Sequence, residues 1–471
     1  MSDWLRTPLA GVVGKVGSGA TPKGGSSTYG NVGTPFIRSM NIVFFGFKRD
    51  GLVYLTDEQA KALNSAEVLA GDVLLNITGA SIGRVTLAPR DMDGARVNQH
   101  VCIIRPNCAL NPRYLSAYLS SPEMQERIWA DNYGVTRQAL TKQQILDFEI
   151  PLPPLEEQKR IANKLDSVLA RVEACRERLD RIPALLKRFR QSILVEATSG
   201  RLTVELRAGH CAEQAGRGPE AAEPASSAGL SLSDPVGWTF ERAESVCAKV
   251  QSGGTPKEGF SDAGVPFLKV YNLVDQKVAF DYKPQYIAPE LHCGSMSKSR
   301  VLPGDVLMNI VGPPLGKVAV VPHTHAEWNI NQAITLFRPS NRITTEWLYY
   351  ILCGGGNIAE IVHETKGSAG QVNISLSQCR DFVFPVPPLC EQNEIVRRVE
   401  TLFAFADRIE ARYAAARRQV GQLNPALLAK AFRGELVPQD PADEPAAELL
   451  KRLGASRSEA PKARRGRKAA A

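Results

Sequence analysis

The sequence predicts an α+β protein built as an internal repeat, with two similar globular domains joined by an antiparallel coiled coil of two long helices. Apolar residues recur at alternating steps of four and three from Ile161 to Ile193, and again 234 positions later from Ile395 to Leu427. This spacing is typical of helices that pack lengthwise against each other. Each helical segment follows a stretch of short Val-, Ile- and Phe-rich runs broken by Gly, Pro and Asn, which indicates strands and tight turns.

The apolar seam suggests how the two long helices pair. In an antiparallel arrangement the end of the first helix lies beside the start of the second, where the second globular domain is attached. The two domains are then related by a pseudo-twofold axis. The predicted seam consists of Ile161, Leu165, Val168, Val172 and Leu179 in the first helix and of Ile395, Val399, Leu402, Ile409 and Val420 in the second.

The globular segments repeat each other in the same order. The motif SGATPKGG at Ser18–Gly25 matches SGGTPKEG at Ser252–Gly259. Further matches pair Thr34–Ile42 with Val265–Leu273, Leu69–Val85 with Leu302–Val318, Val97–Gln99 with Ile330–Gln332, and Asp147–Gln158 with Asp381–Gln392. A repeat of this length indicates one module used twice.

Composition and prolines divide the chain into six parts. The motifs PLPP and PVPP end the globular segments, because each proline removes a backbone donor and disfavours helix at the residue before it. The predicted parts are a first globular domain at 1–150, a first spacer helix at 151–205, a flexible linker at 206–235, a second globular domain at 236–384, a second spacer helix at 385–437, and a disordered basic tail at 438–471.

Bulk composition narrows the class of protein. Hydrophobic residues make up 44% and charged residues 23% of the chain, as in water-soluble globular proteins. The N-terminal sequence has no signal-peptide core, no 18-residue apolar run predicts a membrane span, and the nine cysteines form no C-x-x-C pair. We therefore expect a cytoplasmic protein with reduced thiols. Of the net charge of +8, residues 451–471 carry +7, so any DNA-binding hypothesis depends on where the other charges lie.

The repeated anchors resemble the specificity subunit of type I restriction–modification enzymes. The motif Thr-Pro-Lys, the Gly-Asp-Val-Leu segment and the Pro-Pro-Leu entry to a long helix occur twice and in the family's order, although Cys390 replaces the first Glu of the second helix entry. The resemblance implies two target-recognition domains, each reading half of a split double-stranded DNA sequence. It also implies two methyltransferase subunits and ATP-driven restriction subunits as partners. S-adenosylmethionine, ATP and Mg²⁺ would belong to those partners, with no cofactor or metal in this chain.

Basic residues at matched positions are candidates for phosphate contacts. They are Lys23 and Lys257, Arg38 and Lys269, and Arg84 and Lys317. The alternative is ordinary solvated surface, where Lys and Arg are usually found.

The loops between the anchors differ, since Ile42–Ala70 and Leu273–Pro303 share almost no sequence. A shared scaffold with different loops predicts two different half-sites and hence an asymmetric target. Candidates for reading bases are Tyr29, Lys48, Arg49, Tyr282, Lys283, Gln285 and Lys298 in the loops. Asn98, Gln99, Asn331 and Gln332 could hold adenine edges, or could form a buried hydrogen-bonded turn instead.

Two sequences imitate catalytic motifs. Asn111–Tyr114, NPRY, approaches an amino-methyltransferase motif, but its third residue differs and it better predicts a helix start. Gly312–Lys317 is one residue too short for a phosphate-binding loop. His323 and His325 lack the companions of a zinc site. We expect a non-catalytic DNA-recognition subunit; the alternatives are a coiled-coil scaffold that binds only protein and a stand-alone methyltransferase.

Overall fold

The computed structural model describes residues 4–130, 139–207, 235–364 and 373–459. The chain forms two compact units. Unit 1 comprises Met1–Asp180 and Ala415–Ala471, and unit 2 comprises Arg181–Ala414. Each unit therefore combines one globular domain with part of both long helices. The linker predicted at 206–235 lies almost entirely outside the described residues.

The globular part of unit 1 is built from short strands. A four-stranded antiparallel sheet has the order β2-β10-β7-β8, and a smaller sheet has the order β6-β3-β9, in which β3 and β9 run parallel. Two further pairs are β1 with β11 and β4 with β5. The strands are β1 Leu5–Pro8, β2 Val13–Ser18, β3 Thr34–Ile37, β4 Ile42–Val43, β5 Gly46–Phe47, β6 Val53–Leu55, β7 Val73–Asn76, β8 Val85–Leu87, β9 Arg96–Val97, β10 Val101–Pro106 and β11 Glu149–Leu152.

Unit 2 repeats this topology. Its large sheet has the order β13-β22-β19-β20, its smaller sheet β17-β14-β21-β18, and the flanking pairs are β12 with β23 and β15 with β16. The strands are β12 Thr239–Arg242, β13 Cys247–Ser252, β14 Val265–Leu268, β15 Leu273–Val274, β16 Lys277–Val278, β17 Tyr286–Ile287, β18 Arg300–Val301, β19 Val306–Asn309, β20 Val318–Val320, β21 Trp328–Ile330, β22 Ile334–Pro339 and β23 Val383–Val386. The predicted α+β internal repeat is confirmed.

Helices cover one side of each large sheet and form the two long spacers. In unit 1 the OH of Tyr114, on the helix Pro112–Leu119, donates to the carbonyl of Pro151 at 2.8 Å, and in unit 2 Trp347 Nε1, on the helix Thr345–Gly354, donates to the carbonyl of Pro385 at 3.0 Å. The helices are α1 Asp57–Ala62, α2 Pro112–Leu119, α3 Pro122–Ala130, α4 Lys142–Leu146, α5 Leu155–Thr198, α6 Ala243–Val246, α7 Pro289–Cys293, α8 Thr345–Gly354, α9 Gly356–Glu364, α10 Leu376–Asp381, α11 Leu389–Phe432 and α12 Ala446–Glu459.

A turn containing aspartate leads into the central strand of each large sheet. Asp72 is 2% exposed, accepts the backbone N–H of Leu69 at 2.8 Å, and forms two 2.7 Å hydrogen bonds with the Arg105 guanidinium. Asp305 and Arg338 form the same pair in unit 2. Each turn therefore joins neighbouring strands through a charge-assisted pair.

A buried glutamine joins each domain to its long helix. Gln158 accepts the backbone N–H of Asn111 at 2.8 Å and donates to the carbonyls of Ala109 at 3.1 Å and Pro153 at 2.9 Å. Gln392 makes the equivalent three bonds in unit 2, at 2.8 to 2.9 Å. This amide therefore sets where the globular domain ends and the helix begins.

The long helices pack antiparallel within each unit. In unit 1, Ile161 and Leu165 near the start of α5 share a core with Leu428 and Phe432 near the end of α11. In unit 2 the end of α5 instead meets the start of α11, where Arg190 bonds Asp407 at 2.6 Å and Glu410 at 2.9 Å. The predicted seam residues are all buried or half-buried, although Cys175, Phe189 and Leu423 on the same heptad spacing are exposed.

The prediction of a disordered tail from residue 438 is wrong for residues 438–459. Helix α12 places Ala446 and Leu449 in the core of unit 1, 7% and 8% exposed, with Leu450 and Leu453 packed against it. Asp443 also pairs with Arg160 on α5 at 2.6 Å. Four apolar residues at helical spacing are enough to form a helix that an existing apolar surface covers. The predicted basic run at 462–468 lies outside the described residues.

Deleting residues 438–471 is expected to destabilise unit 1 by about 3 kcal/mol, because the deletion removes the buried side chains of Ala446 and Leu449 and exposes the apolar surface that they cover. Deleting only residues 460–471 is the matched control and should leave the free energy of unfolding unchanged. Urea unfolding followed by intrinsic fluorescence measures both effects. Equal stability of the two truncated chains would contradict a structural role for α12.

The carboxyl of Glu157 is buried in the same region, with few hydrogen bonds to offset its loss of hydration. Glu157 is 2% exposed; its Oε2 accepts a hydrogen bond from Trp4 Nε1 at 3.2 Å, and its Oε1 has no partner among the described residues. Burial raises the pKa of Glu157 above 4.5, against the opposing effects of the Trp4 bond and of Arg160. The matched Glu391 of unit 2 instead accepts bonds from Thr203 at 2.7 Å and Arg207 at 2.5 Å.

Substituting Glu157→Gln is expected to increase the stability of unit 1 at neutral pH. A carboxyl with a raised folded-state pKa contributes most stability while protonated, below the unfolded-state value, and this contribution is lost as the pH rises through the folded-state pKa. Glutamine keeps the acceptor for Trp4 without the charge. Unfolding free energies from pH 4.5 to 8 should therefore depend less on pH in the variant. Glu391→Gln should destabilise unit 2, because it leaves Arg207 without its carboxylate; the same response at both positions would refute this contrast.

Candidate nucleic-acid interface

The turn that carries Lys23 or Lys257 docks on the Asn-Gln segment in each unit. Thr21 donates its hydroxyl hydrogen bond to Gln99, and Thr255 donates to Gln332 at 2.6 Å. The backbone N–H of Gly19 donates to the Asn98 carbonyl at 3.1 Å. A Cβ on Gly19 would lie 1.6 Å from the carbonyl oxygen of Val97, so the close approach requires glycine.

The docked turn lies beside the second pair of candidate cations. The backbone N–H of Asn98 donates to Ile37 at 3.1 Å, directly before Arg38. In unit 2 the N–H of Asn331 donates to Leu268 at 3.0 Å, directly before Lys269. The anchors that are separate in the sequence are therefore adjacent in each unit.

An asparagine holds the base of each divergent loop. Asn41 Oδ1 accepts the N–H of Arg38 at 2.9 Å while its Nδ2 donates to the Lys48 carbonyl at 2.9 Å. Asn272 makes the same bond to the N–H of Lys269 at 2.9 Å and donates to Tyr282 at 2.9 Å. Both asparagines are buried. One asparagine amide therefore holds the backbone of the cationic residue and the backbone of the loop in a fixed relation.

A second asparagine joins the third pair of cations to this frame. The N–H of Asn76 donates to the Arg84 carbonyl at 2.8 Å, and Asn76 Nδ2 donates to the Ser39 carbonyl at 2.9 Å. In unit 2, Asn309 donates its N–H to the Lys317 carbonyl at 3.0 Å and accepts the Lys317 N–H on its Oδ1 at 2.6 Å. Strands β8 and β20 start one residue after these cations.

We call this arrangement the anchor edge: the turns that carry Lys23, Arg38 and Arg84 in unit 1 and those that carry Lys257, Lys269 and Lys317 in unit 2. All six cations are exposed or half-buried. Within the described ranges, no carboxylate lies within 4.0 Å of any of them. Many other arginines in the two units are ion-paired. The anchor edge therefore carries positive charge that the described protein does not neutralise, as a phosphate-binding surface needs.

Two base-reading candidates are already engaged with carboxylates. Arg49 forms three hydrogen bonds with Asp91, at 3.0 to 3.3 Å, and Lys48 lies 4.0 Å from Asp50. Because all four side chains are exposed, solvent screens these pairs and they contribute little stability. A base could displace either carboxylate at small cost, so both assignments stay predictions.

Two of the other loop candidates in unit 2, Tyr282 and Lys283, form an exposed ring–cation pair. Tyr282 is 55% exposed, packs edge-on against Tyr271 at 6.1 Å between ring centroids, and has Lys283 Nζ 5.3 Å from its ring. Gln285 is half-buried, and its buried Oε1 has no hydrogen-bond partner among the described residues. Lys298 is exposed in the turn Ser297–Ser299. Their roles in reading bases stay predictions.

The Asn-Gln candidates divide into two kinds. Asn98 is 7% exposed, and its Oδ1 accepts the N–H of His100 at 3.1 Å, so the buried-turn interpretation fits this residue. Asn331 is half-buried with an Oδ1 that has no partner among the described residues. Gln99 and Gln332 are exposed and bind the threonines of the docked turn. Each amide oxygen is thus engaged by a threonine hydroxyl, and the amide nitrogen of Gln99 also lies 3.1 Å from His100 Nε2.

A contact between an aromatic ring and a cation occurs on the anchor edge of both units. The ring of the second unit was not identified from the sequence. The guanidinium of Arg38 lies 5.8 Å from the centre of the Tyr29 ring, and Lys269 Nζ lies 4.2 Å from the Phe260 ring. Phe260 was not among the sequence candidates. Its position, 231 residues after Tyr29, is the signal that would have identified it, because the neighbouring anchors repeat at the same offset.

The divergent loops begin with the same backbone hairpin despite their different sequences. Strands β4 and β5 form a hairpin in unit 1, and β15 and β16 form the same hairpin in unit 2. Residues with positive φ turn each hairpin, namely Phe45 at 59° and Asp275 and Gln276 at 48° and 62°. The tips present Phe44 and Phe45 in one unit and Asp275 and Gln276 in the other. Backbone hydrogen bonds thus keep the hairpin while its surface chemistry changes.

The sequences that imitate catalytic motifs have structural roles. Asn111 caps α2 by accepting the N–H groups of Arg113 at 2.9 Å and Tyr114 at 3.2 Å, which confirms the predicted helix start. His325 packs edge-on against Trp328, with 4.6 Å between ring centroids. Within the described residues, no three His, Cys, Asp or Glu side chains are grouped to hold a metal ion. The described helices also include none with the length and apolarity needed to span a bilayer.

Comparisons with known proteins agree on one family. The model for the type I restriction modification DNA specificity domain matches residues 1–184 and 235–415. The chain is 31% identical over 381 residues to the type I restriction enzyme EcoBI specificity subunit of Escherichia coli, which covers 77% of this chain and 76% of that protein. It is 28% identical over 445 residues to the StySPI specificity subunit of Salmonella potsdam, covering 90% and 89% of the two chains.

Solved structures share the fold. The HsdS subunit from Thermoanaerobacter tengcongensis aligns with a TM-score of 0.57 at 22% identity, over 92% of this chain and 97% of that chain. A chain from a structure on complex assembly and conformational transition of the type I R-M system aligns with a TM-score of 0.60 at 22% identity, over 92% and 98%. At this identity the likeness supports the fold.

Proposed function

This chain belongs to the type I restriction–modification DNA specificity family, and from that premise we propose that it reads an asymmetric, two-part DNA sequence for a type I restriction–modification complex. One observation carries the proposal. The two units present matched anchor edges whose cations have no carboxylate partner among the described residues, and the loops fixed to these edges by Asn41 and Asn272 differ in chemistry.

The shared and the differing parts suit different tasks. Contacts to phosphates position a protein on DNA without regard to sequence, whereas contacts to base edges select the sequence. Matched cation-bearing turns therefore suit the first task in both units. The loop with Lys48 and Arg49 and the loop with Tyr282 and Lys283 suit different half-sites, which makes the whole target asymmetric.

We propose further that the chemistry lies in partner subunits. Two methyltransferase subunits would use S-adenosylmethionine, and restriction subunits would use ATP and Mg²⁺. The motifs of this chain that resemble catalytic ones serve as a helix cap and as a turn, which supports a recognition role. The relatives are named as specificity subunits, in agreement with this division.

Methylation mapping in a host that carries this chain and its methyltransferase tests the proposal. We expect methylated sites that share two different short sequences separated by an unread gap. The double variant Tyr282→Ala, Lys283→Ala should relax only one of the two sequences. A matched control replaces Phe405 and Arg408 with alanine, a second exposed ring–cation pair on α11, and should leave the target unchanged.

Three results would contradict the proposal. A palindromic or continuous target would contradict two different half-sites. Methyl transfer to DNA by the purified chain alone would show a stand-alone methyltransferase. Absence of salt-sensitive DNA retention with the methyltransferase present would favour a scaffold that binds only protein.

A further inference from the structure

The repeated ring–cation contact on the anchor edge has no assigned role. We propose that Tyr29 and Phe260 are positioning residues, which hold the side chains of Arg38 and Lys269 where they contact DNA phosphates. This proposal rests on the proposed function and names residues and a ligand group for the same surface.

The two outer rings are supported in the same way. Tyr29 packs on Phe36 with 5.4 Å between ring centroids, and Phe260 packs on Phe267 with 5.3 Å. Phe36 and Phe267 are 0% and 1% exposed, at matched positions of β3 and β14. Each outer ring is thus supported by a ring of the core, and the cation lies against this supported ring.

The backbone of each cation is also fixed. The N–H groups of Arg38 and Lys269 both donate to an asparagine Oδ1 at 2.9 Å. Arg38 Nη2 donates to the carbonyl of Gly51 at 2.5 Å, and its Nε is buried without a partner among the described residues. With the backbone held at one end and the ring at the other, a long flexible side chain loses less entropy when it binds an anion.

The chemistry shared by the two units points to phosphate. The outer ring is tyrosine in one unit and phenylalanine in the other, and the cation is arginine in one and lysine in the other. What the units share is a π-face against a positive charge, while specific hydrogen-bonding groups differ. A feature that repeats where the loops diverge fits a contact that is the same at every DNA sequence.

The test measures DNA binding by the complete chain with its methyltransferase. The variants are Tyr29→Leu and Phe260→Leu, with Tyr29→Phe as the conservative replacement and Phe405→Leu as the matched control on α11. Dissociation constants for the recognised duplex and for a random duplex are compared across salt concentrations. The leucine variants should weaken binding to both duplexes by about two- to fivefold, and Tyr29→Phe and Phe405→Leu should bind as the parent chain does.

A double-variant comparison separates positioning from folding. If Tyr29 acts through Arg38, adding Tyr29→Leu to Arg38→Ala should produce no further loss of affinity. Additive losses would overturn the proposal, as would a loss confined to the recognised duplex, which would make the ring a base reader. Unchanged binding in the leucine variants refutes only the positioning role. A parent chain without salt-sensitive binding refutes the proposed function itself.

Discussion

We expect the triple alanine variant of Lys23, Arg38 and Arg84 to show a flatter salt dependence of DNA binding. Its affinity should fall by the same factor for the recognised duplex and for a random duplex. Each phosphate contact contributes about one unit to the slope of log affinity against log salt, so three losses should reduce the slope by about three. The recognised sequence should not change, because phosphates carry no base information. Titrations of a labelled duplex between low and physiological salt measure the slope.

A control of equal charge tests whether position matters. Arg6, Arg113 and Lys159 are cations of the same unit, each paired with a carboxylate at 3.4, 2.8 and 2.7 Å. Replacing these three by alanine removes the same charge from places away from the anchor edge, and the slope should stay near that of the parent chain. Equal loss in both triple variants would show that only net charge matters, against the assignment of the anchor edge.

Replacing Gln158 by alanine is expected to destabilise unit 1 by about 3 kcal/mol. The change leaves the N–H of Asn111 and the carbonyls of Ala109 and Pro153 without their partner, and an unsatisfied buried polar group costs about 1–3 kcal/mol. Gln392→Ala should act in the same way on unit 2, whose three bonds have similar lengths. Urea unfolding at neutral pH measures both losses.

Gln143 offers the matched control for this prediction. It is exposed, and its amide donates to Asp147 at 2.9 Å on the surface of the same unit. Gln143→Ala should change stability by less than about 0.5 kcal/mol. A Gln158 variant as stable as the Gln143 variant would mean that apolar packing alone joins domain to helix.

Local chemistry explains why some elements could be predicted. The steps of four and three along α5 and α11 follow from the helix period, which any long packed helix must obey. The prolines before Leu155 and Leu389 indicated the helix starts, and Asn111 carried the side chain that caps α2. In each case the signal lies within a few residues of the element.

Other elements depend on distant partners. The hairpins in the two divergent loops are held by Asn41 and Asn272 and by backbone hydrogen bonds, which need little from the loop side chains. Helix α12 forms in a segment rich in charged and small residues. It is stable there because its few leucines pack against an apolar surface that exists only in the folded unit. The composition of this segment does not reveal the apolar surface of unit 1 against which the helix packs.

By itself, the sequence determined the repeat, the long helices and the residue types at the candidate site, because periodicity and matched motifs are local properties. Only the tertiary structure decided which cations lack a carboxylate partner: Arg49 has Asp91, 42 residues away, whereas Arg38 has the ring of Tyr29 and the carbonyl of Gly51. The physical reason is that charge neutralisation depends on distance in space, which residue identity does not contain.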